Sequence, residues 1–141
     1  MPVNISKLRI NASASRVWDV LTNAELVKAW QYGSDLITDW KPGHHIRFRT
    51  EWEGKVFEQW GTVLEFKPTI KLRYSLFAPR PDLQDIPEHY FEMEYQVNEK
   101  DGYTELRIIQ TDNRPGAKQE PEQGEENPVL SGLKTLAESL K

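Results

Sequence analysis

Reactive side chains are few in this sequence, and their spacing excludes more chemistry than it permits. His44 and His45 are adjacent. Neighbours on a strand point to opposite faces, so the pair cannot hold one metal ion together. A metal site would need His89 and carboxylates to converge with one of them, and surface histidines beside a turn are the simpler reading. There is no cysteine, which excludes disulfide frameworks, thiol catalysis and cysteine-ligated zinc or iron–sulfur centres. A Ser–His–acid nucleophile has no Gly-x-Ser-x-Gly turn to stand on, and no glycine-rich phosphate loop occurs. Acidic pairs stand at Glu92/Glu94 and Glu125/Glu126. Strand alternation sends the first pair to an outer face. Glu58 and Glu65 remain as lone acids on one long strand, and a carboxyl held in a pocket is the acid–base arrangement left open. No pattern calls for a cofactor or a metal.

The stronger signal is aromatic. Five Trp, five Tyr and five Phe stand among 141 residues. Alternation points Phe48, Trp52, Trp60, Tyr74, Phe91 and Tyr95 to one inner face. Such a set packs a core or lines an apolar pocket in which a few polar groups fix a ligand's orientation. Thr50, Tyr74, Tyr95 and Gln110 can supply those groups, whereas Arg47 and Arg73 face away on simple alternation. Met93 and Ile108 lie on the same inner faces, and Leu133 and Leu136 lie on a covering helix. Together these residues form the candidate ligand-binding set.

The elements that must position them follow from the period of the apolar residues. Residues 5–11 read as a first strand with Ser6, Leu8 and Ile10 on one side. Ser13 or Ser15 can cap a helix carrying Val17, Trp18, Leu21 and Ala24. Thr22-Asn23-Ala24-Glu25 has the form of a capping box, so a second short helix with Leu26, Val27 and Trp30 is expected after a bend. From Leu36 the period is two. Residues 45–52 alternate with Ile46, Phe48, Thr50 and Trp52 on one face. Residues 56–66 form a longer strand, with Trp60, Leu64 and Phe66 on one face and Phe57 and Val63 on the other. Gly61 inside that strand suggests a bulge or bend. Leu72, Tyr74 and Leu76 mark the next strand, residues 90–97 another, and Asp101-Gly102 turns a hairpin into 104–112. Residues 114–126 lack periodicity and read as a mobile loop.

After it, Asn127 can cap a helix with Pro128 in its first turn and apolar residues at 129, 130, 133, 136, 137 and 140. Glu125 and Glu126 suit the positive end of its dipole and Lys141 the negative end. A helix of about fourteen residues is marginal alone, and an antiparallel meander with one apolar face needs a cover. The helix is therefore expected across the sheet, and Leu136→Ala to cost about 2–5 kcal/mol if Leu136 sits in that seam. Gly132 and the long preceding loop make the N-terminal half of the helix the expected gate.

A chain of 141 residues suits one domain spanning 1–141. The net charge of -4 argues against nucleic acid as a partner. No stretch has the length of a membrane span or a signal peptide, and a cytoplasmic location is expected.

The opening Ile10-x-Ala12-x-x-x-x-Val17-Trp18-x-x-Leu21-Thr22-x-x-x-Leu26-x-x-x-Trp30 resembles the start of START-like (SRPBCC, helix-grip) domains. The Pro42-Gly43 turn, Gly61-x-Val63-x-Glu65-x-x-Pro68 and Gly102-x-Thr104-x-Leu106-x-Ile108 follow in the same order. Within the superfamily the chain looks closest to the branch named after the activator of Hsp90 ATPase. The resemblance implies an α+β helix-grip fold: a curved antiparallel sheet of six to seven strands, two short helices after the first strand, and a C-terminal helix across the concave face. It implies a cavity for an apolar or amphipathic small molecule such as a lipid, sterol or polyketide-like compound, without catalysis. A chaperone-interacting regulatory module and an enzyme such as a cyclase or hydrolase are the alternatives. The expected state is a monomer or homodimer.

Overall fold

The computed structural model describes residues 2–31 and 33–139, with Trp52 described for its backbone alone. The Trp52 side chain, assigned above to the binding set, lies outside the described residues, as do Leu140 and Lys141 of the expected last helix. The elements run β1 (Val3–Ile10), α1 (Ala14–Thr22), α2 (Ala24–Trp30), β2 (Asp35–Thr38), β3 (His45–Trp52), β4 (Lys55–Lys67), β5 (Lys71–Phe77), β6 (Phe91–Lys100), β7 (Tyr103–Asp112) and α3 (Pro128–Ser139). The strands form one seven-stranded antiparallel sheet in the order β1-β7-β6-β5-β4-β3-β2. No helix among the described residues is long and apolar enough to cross a membrane.

Turn chemistry fixes the hairpins. Glu53 and Gly54 both take positive φ (51° and 78°), the combination whose twist joins two strands through a two-residue turn. In the antiparallel pairs, opposite residues share a face. The register Leu76↔Phe91, Tyr74↔Met93 and Leu72↔Tyr95, continued by Met93↔Gln110 and Tyr95↔Ile108, gathers the inner side chains. Onto this face α3 lays Leu130, Leu133 and Ala137, all buried. Val17, Trp18, Val20 and Leu21 of α1, with Val27 and Trp30 of α2, complete one continuous core.

Local capping explains the helix breaks. Ser13 accepts the Arg16 N–H at the start of α1. The expected capping box at Thr22 does not form, because Thr22 remains the last residue of α1 and donates its hydroxyl to the Trp18 carbonyl (2.8 Å). Asn23 caps α2 instead, accepting the Glu25 N–H at 3.0 Å. Asn127 caps α3 as its type predicts, accepting the N–H groups of Val129 (2.9 Å) and Leu130 (3.4 Å).

Strand β4 departs from simple alternation. Its register slips between Val63 and Glu65, so Val63 (opposite Tyr74) and Phe66 (opposite Leu72) both face inward while Leu64 is left exposed. The interruption lies beyond Gly61, which pairs in register with both Ile46 and Leu76. Gly61 is required for a different reason: a Cβ there would lie 1.8 Å from the Ser75 carbonyl oxygen.

The 114–126 segment is not the free loop its composition suggests. Gln123 makes a parallel bridge with Ser6, through Lys7 N–H to Gln123 O (2.9 Å) and Gln123 N–H to Ile5 O (3.1 Å). The Gln119 side chain accepts the Val3 N–H (2.9 Å) and donates to the Val3 carbonyl. Asn4 Oδ1 accepts the Glu120 N–H at 2.7 Å. Backbone pairing, to which hydrophobic periodicity is blind, thus orders the approach to α3.

Candidate functional site

A cavity of about 460 Å³ opens between the concave face and the N-terminal end of α3. Its wall is aromatic. Phe48 of β3 stands 5.8 Å from Tyr74 of β5, and Tyr74 stands 6.1 Å from Tyr95 of β6, centroid to centroid. These spacings lie within the range where aromatic pairs attract. Trp40 and Phe66 stack at 5.4 Å, and Trp40 lies 6.2 Å from Tyr74, so the row is backed by the core. Trp30 of α2 closes one side, its Nε1 donating to the Val20 carbonyl at 2.8 Å. Val129 and Leu130 come from α3.

Polar groups sit at the two ends. At one, the Ser34 and Thr50 hydroxyls bond to each other at 2.8 Å beside Gln31 and Gln59. At the other, Gln110 accepts from Asn4 (3.4 Å) and Asn127 donates to Gln123 (2.6 Å), with Ser6 between them. Burial pushes the Tyr74 hydroxyl well above the ordinary range, reinforced by Tyr95, and burial pushes Tyr95 up as well.

Of the sequence-derived set, Phe48, Thr50, Tyr74, Phe91, Met93, Tyr95, Ile108 and Gln110 border this cavity. Trp60, Leu133 and Leu136 do not. Trp60 pairs with Arg47 and Phe77 across the ladder; inner Phe48 pairs with Gln59, so Trp60 projects from the convex face. There it packs 5.5 Å from Phe77 and donates its Nε1 to Asp85 (3.0 Å). Tyr90 donates to the same carboxylate at 2.5 Å; burial and then Asp85 push its hydroxyl up to about 12. Leu133 is fully buried in the core and Leu136 only partly packed against it, because the cavity ends at the first turn of α3. The residues missed, Ser6, Trp30, Gln31, Ser34, Phe57, Gln59, Leu76, Asn127, Val129 and Leu130, come mostly from element ends. For Ser6 and Leu76 strand alternation was a sufficient signal.

The acids do not join the site. Glu58 lies near Arg47 (3.7 Å) and Arg49 (3.9 Å), and Glu65 is ringed by Lys67, Lys71 and Arg73. Hydrogen bonding from Lys67, aided by Lys71, holds the Glu65 carboxyl below its ordinary value. Both face outward with their basic partners. Among the described residues no cluster of three or more His, Asp or Glu could hold a metal ion.

Phe91 is fixed from behind. The Arg114 guanidinium lies 4.5 Å over its ring and makes a two-pronged contact with Asp112 (2.9 and 2.7 Å). Hydrogen bonding from Arg114 holds the buried Asp112 carboxyl below the usual range. A depressed native carboxyl contributes stability that is present above the unfolded value, about 3.9, and is lost as pH falls through the native one. Asp112→Asn is therefore expected to cost about 1–3 kcal/mol at pH 7. The gap from the native protein should narrow below about pH 4 in urea titrations. An equal gap at both pH values would contradict this role.

The sequence profile described as Activator of Hsp90 ATPase homolog 1-like protein matches residues 11–141. No curated protein sequence gives a significant match. A solution structure of a Cytophaga hutchinsonii protein is 32% identical over 82% of this chain and 80% of its own, with a TM-score of 0.70. A crystal structure of a Nitrosomonas europaea protein is 20% identical, covering 99% and 96%, with a TM-score of 0.77. The solution structure of the Aha1 dimer from Colwellia psychrerythraea is 16% identical, covering 84% and 81%, with a TM-score of 0.62. With its helix-grip architecture and a profile match over nearly its whole length, the chain belongs to the Activator of Hsp90 ATPase homolog 1-like family.

Proposed function

We propose that this protein is a binding module that takes an apolar or amphipathic small molecule, of lipid, sterol or polyketide-like character, between its sheet and α3 without turning it over. The observation that carries this reading is the cavity itself. About 460 Å³ lies within the range of small-molecule sites, roughly 300–1,000 Å³, and aromatic and aliphatic side chains form its body. The candidate binding residues that border it would supply the apolar wall (Phe48, Phe91, Met93, Ile108) and the orienting groups (Thr50, Tyr74, Tyr95, Gln110). The acid–base alternative loses support because Glu58 and Glu65 both face outward beside basic partners.

An environment-sensitive apolar dye should bind the native protein saturably and one-to-one. Val129→Trp, which places an indole in the cavity mouth, should abolish that binding while leaving the circular dichroism spectrum unchanged. Dye uptake confined to the thermal transition would sink the reading.

A second reading is a chaperone-regulating module, favoured by the family to which the chain belongs. The convex face, with Arg47, Arg49 and Glu51, would then be the contact surface. Native mass spectrometry of protein taken from its own cell separates the two: a retained small molecule supports the first, a co-purifying chaperone the second.

A further inference from the structure

The cavity lining has a chemical bias beyond its apolar character. Among the described residues that border it there is no Asp, Glu, Lys, Arg or His. The two titratable side chains present, Tyr74 and Tyr95, are buried and neutral across the ordinary pH range. An adjoining depression of about 210 Å³ shares Ser6, Met93, Ile108 and Gln110 and carries Glu120 at its edge. A ligand charge brought here would be stripped of water with no counter-charge, at a cost of several kcal/mol or more, and an anion would also meet Glu120.

The polar groups are unequally occupied. Ser34 and Thr50 bond to each other, Gln110 is engaged by Asn4, and Asn127 is consumed by α3 and Gln123. Gln31 and Gln59 stand at the rim and Ser6 at the opposite end. The Ser34–Thr50 pair leaves one proton over and Gln110 its amide N–H groups, but those residues are only half-buried. The tyrosine pair is distinguished by its burial. Tyr74 (4% exposed) donates to Tyr95 (6% exposed) at 3.4 Å, longer than the usual 2.5–3.0 Å, roughly, for O–H···O. Two hydroxyls carry two protons, and one bond uses one of them. The Tyr95 proton has no acceptor among the described residues. Buried donors are nearly always paired, so an O–H in the cavity wall that donates to no protein group can donate to an acceptor on a bound ligand.

Resting on the small-molecule reading above, we propose that the cavity selects an uncharged ligand whose carbonyl-type oxygen accepts the Tyr95 hydroxyl hydrogen. Its ring or chain would lie along Phe48 and Phe91. The ligand class is then a neutral ketone, ester, quinone or amide of largely apolar body, rather than a fatty acid, phosphate or amine.

Three probes of similar shape test this: benzophenone, diphenylmethane, which lacks the oxygen, and 4-benzoylbenzoate, which adds a charge. Equilibrium dialysis at pH 7 against the native protein and Tyr95→Phe gives the affinities. The benzophenone-to-diphenylmethane ratio should be about five- to tenfold higher in the native protein, the worth of one neutral hydrogen bond. The benzoate should bind at least about tenfold more weakly than benzophenone, by the cost of an unpaired charge. Should Tyr95→Phe not fold, the infrared carbonyl stretch of benzophenone bound to the native protein decides. A stretch lowered from its position in hexane supports the bond, and one that coincides with it overturns the proposal. Saturable binding of both neutral probes with an unchanged ratio overturns the acceptor and leaves the small-molecule reading standing. Equal binding of the benzoate overturns the charge selection. If neither neutral probe binds, the small-molecule reading falls and the proposal with it.

Discussion

Gly61→Ala is expected to be among the most destabilising single substitutions in this fold. The added Cβ would stand 1.8 Å from the Ser75 carbonyl oxygen and 2.5 Å from its carbon. Both are backbone atoms of β5, so no side-chain rotation relieves the clash. Strand β5 lies between β4 and β6 near the middle of the sheet, and moving it would open the ladder on both sides. Overpacking a core with side-chain atoms costs about 1–3 kcal/mol. With rigid backbone as the obstacle, about 3 kcal/mol or more is expected. Against a domain stability of about 5–15 kcal/mol, that is a large share. Urea titration measures it, and a loss under about 1 kcal/mol would show that β5 can shift, contrary to the overpacking argument. Gly132→Ala serves as the control. Nothing lies within 4 Å of a Cβ there, and removing a mid-helix glycine should stabilise by about 0.5–1 kcal/mol.

The second large effect concerns the attachment of α3. Leu133 is 0% exposed and joined to the core cluster. Leu133→Ala should therefore cost about 2–5 kcal/mol, by lost transfer energy and the cavity left behind. Leu136 is only partly buried, so Leu136→Ala should cost about 1–2 kcal/mol, below the range for a full seam position. The pair measured together by urea titration locates the seam. Equal losses would mean that the helix is rotated from the position described.

Much of the architecture was legible because each element carries its own period. The alternation of 45–52, the 3.6-residue stripe of α3 and the Asp101-Gly102 turn each predict an element that the structure contains. Errors arose where one residue alters the count. The slip between Val63 and Glu65 lets Val63 and Phe66 share the inner face. Extrapolation from Phe66 back through Leu64 to Trp60 therefore put Trp60 inside. A bulge costs the sequence no distinctive residue, so alternation alone gives no warning of it. At the site, strand alternation was enough for Phe48, Tyr74 and Tyr95. Where along α3 the cavity lies was not legible, because that depends on how the sheet curls, and no local pattern encodes curl. The same holds for the tyrosine pair: both residues are visible, but their 3.4 Å approach depends on the pairing Leu72↔Tyr95.

The parallel bridge between Gln123 and Ser6 has a bearing on how this protein behaves at high concentration. A sheet that does not close has two outer strands, whose unpaired N–H and C=O groups can template the addition of another chain. The connection before α3 occupies several of those groups on β1, at Val3, Ile5 and Lys7. The strand at the far border, β2, is four residues long and offers a correspondingly short template. A segment whose composition suggests a mere tether thus acts as a selvedge, finishing the long border of the sheet against edge-to-edge aggregation.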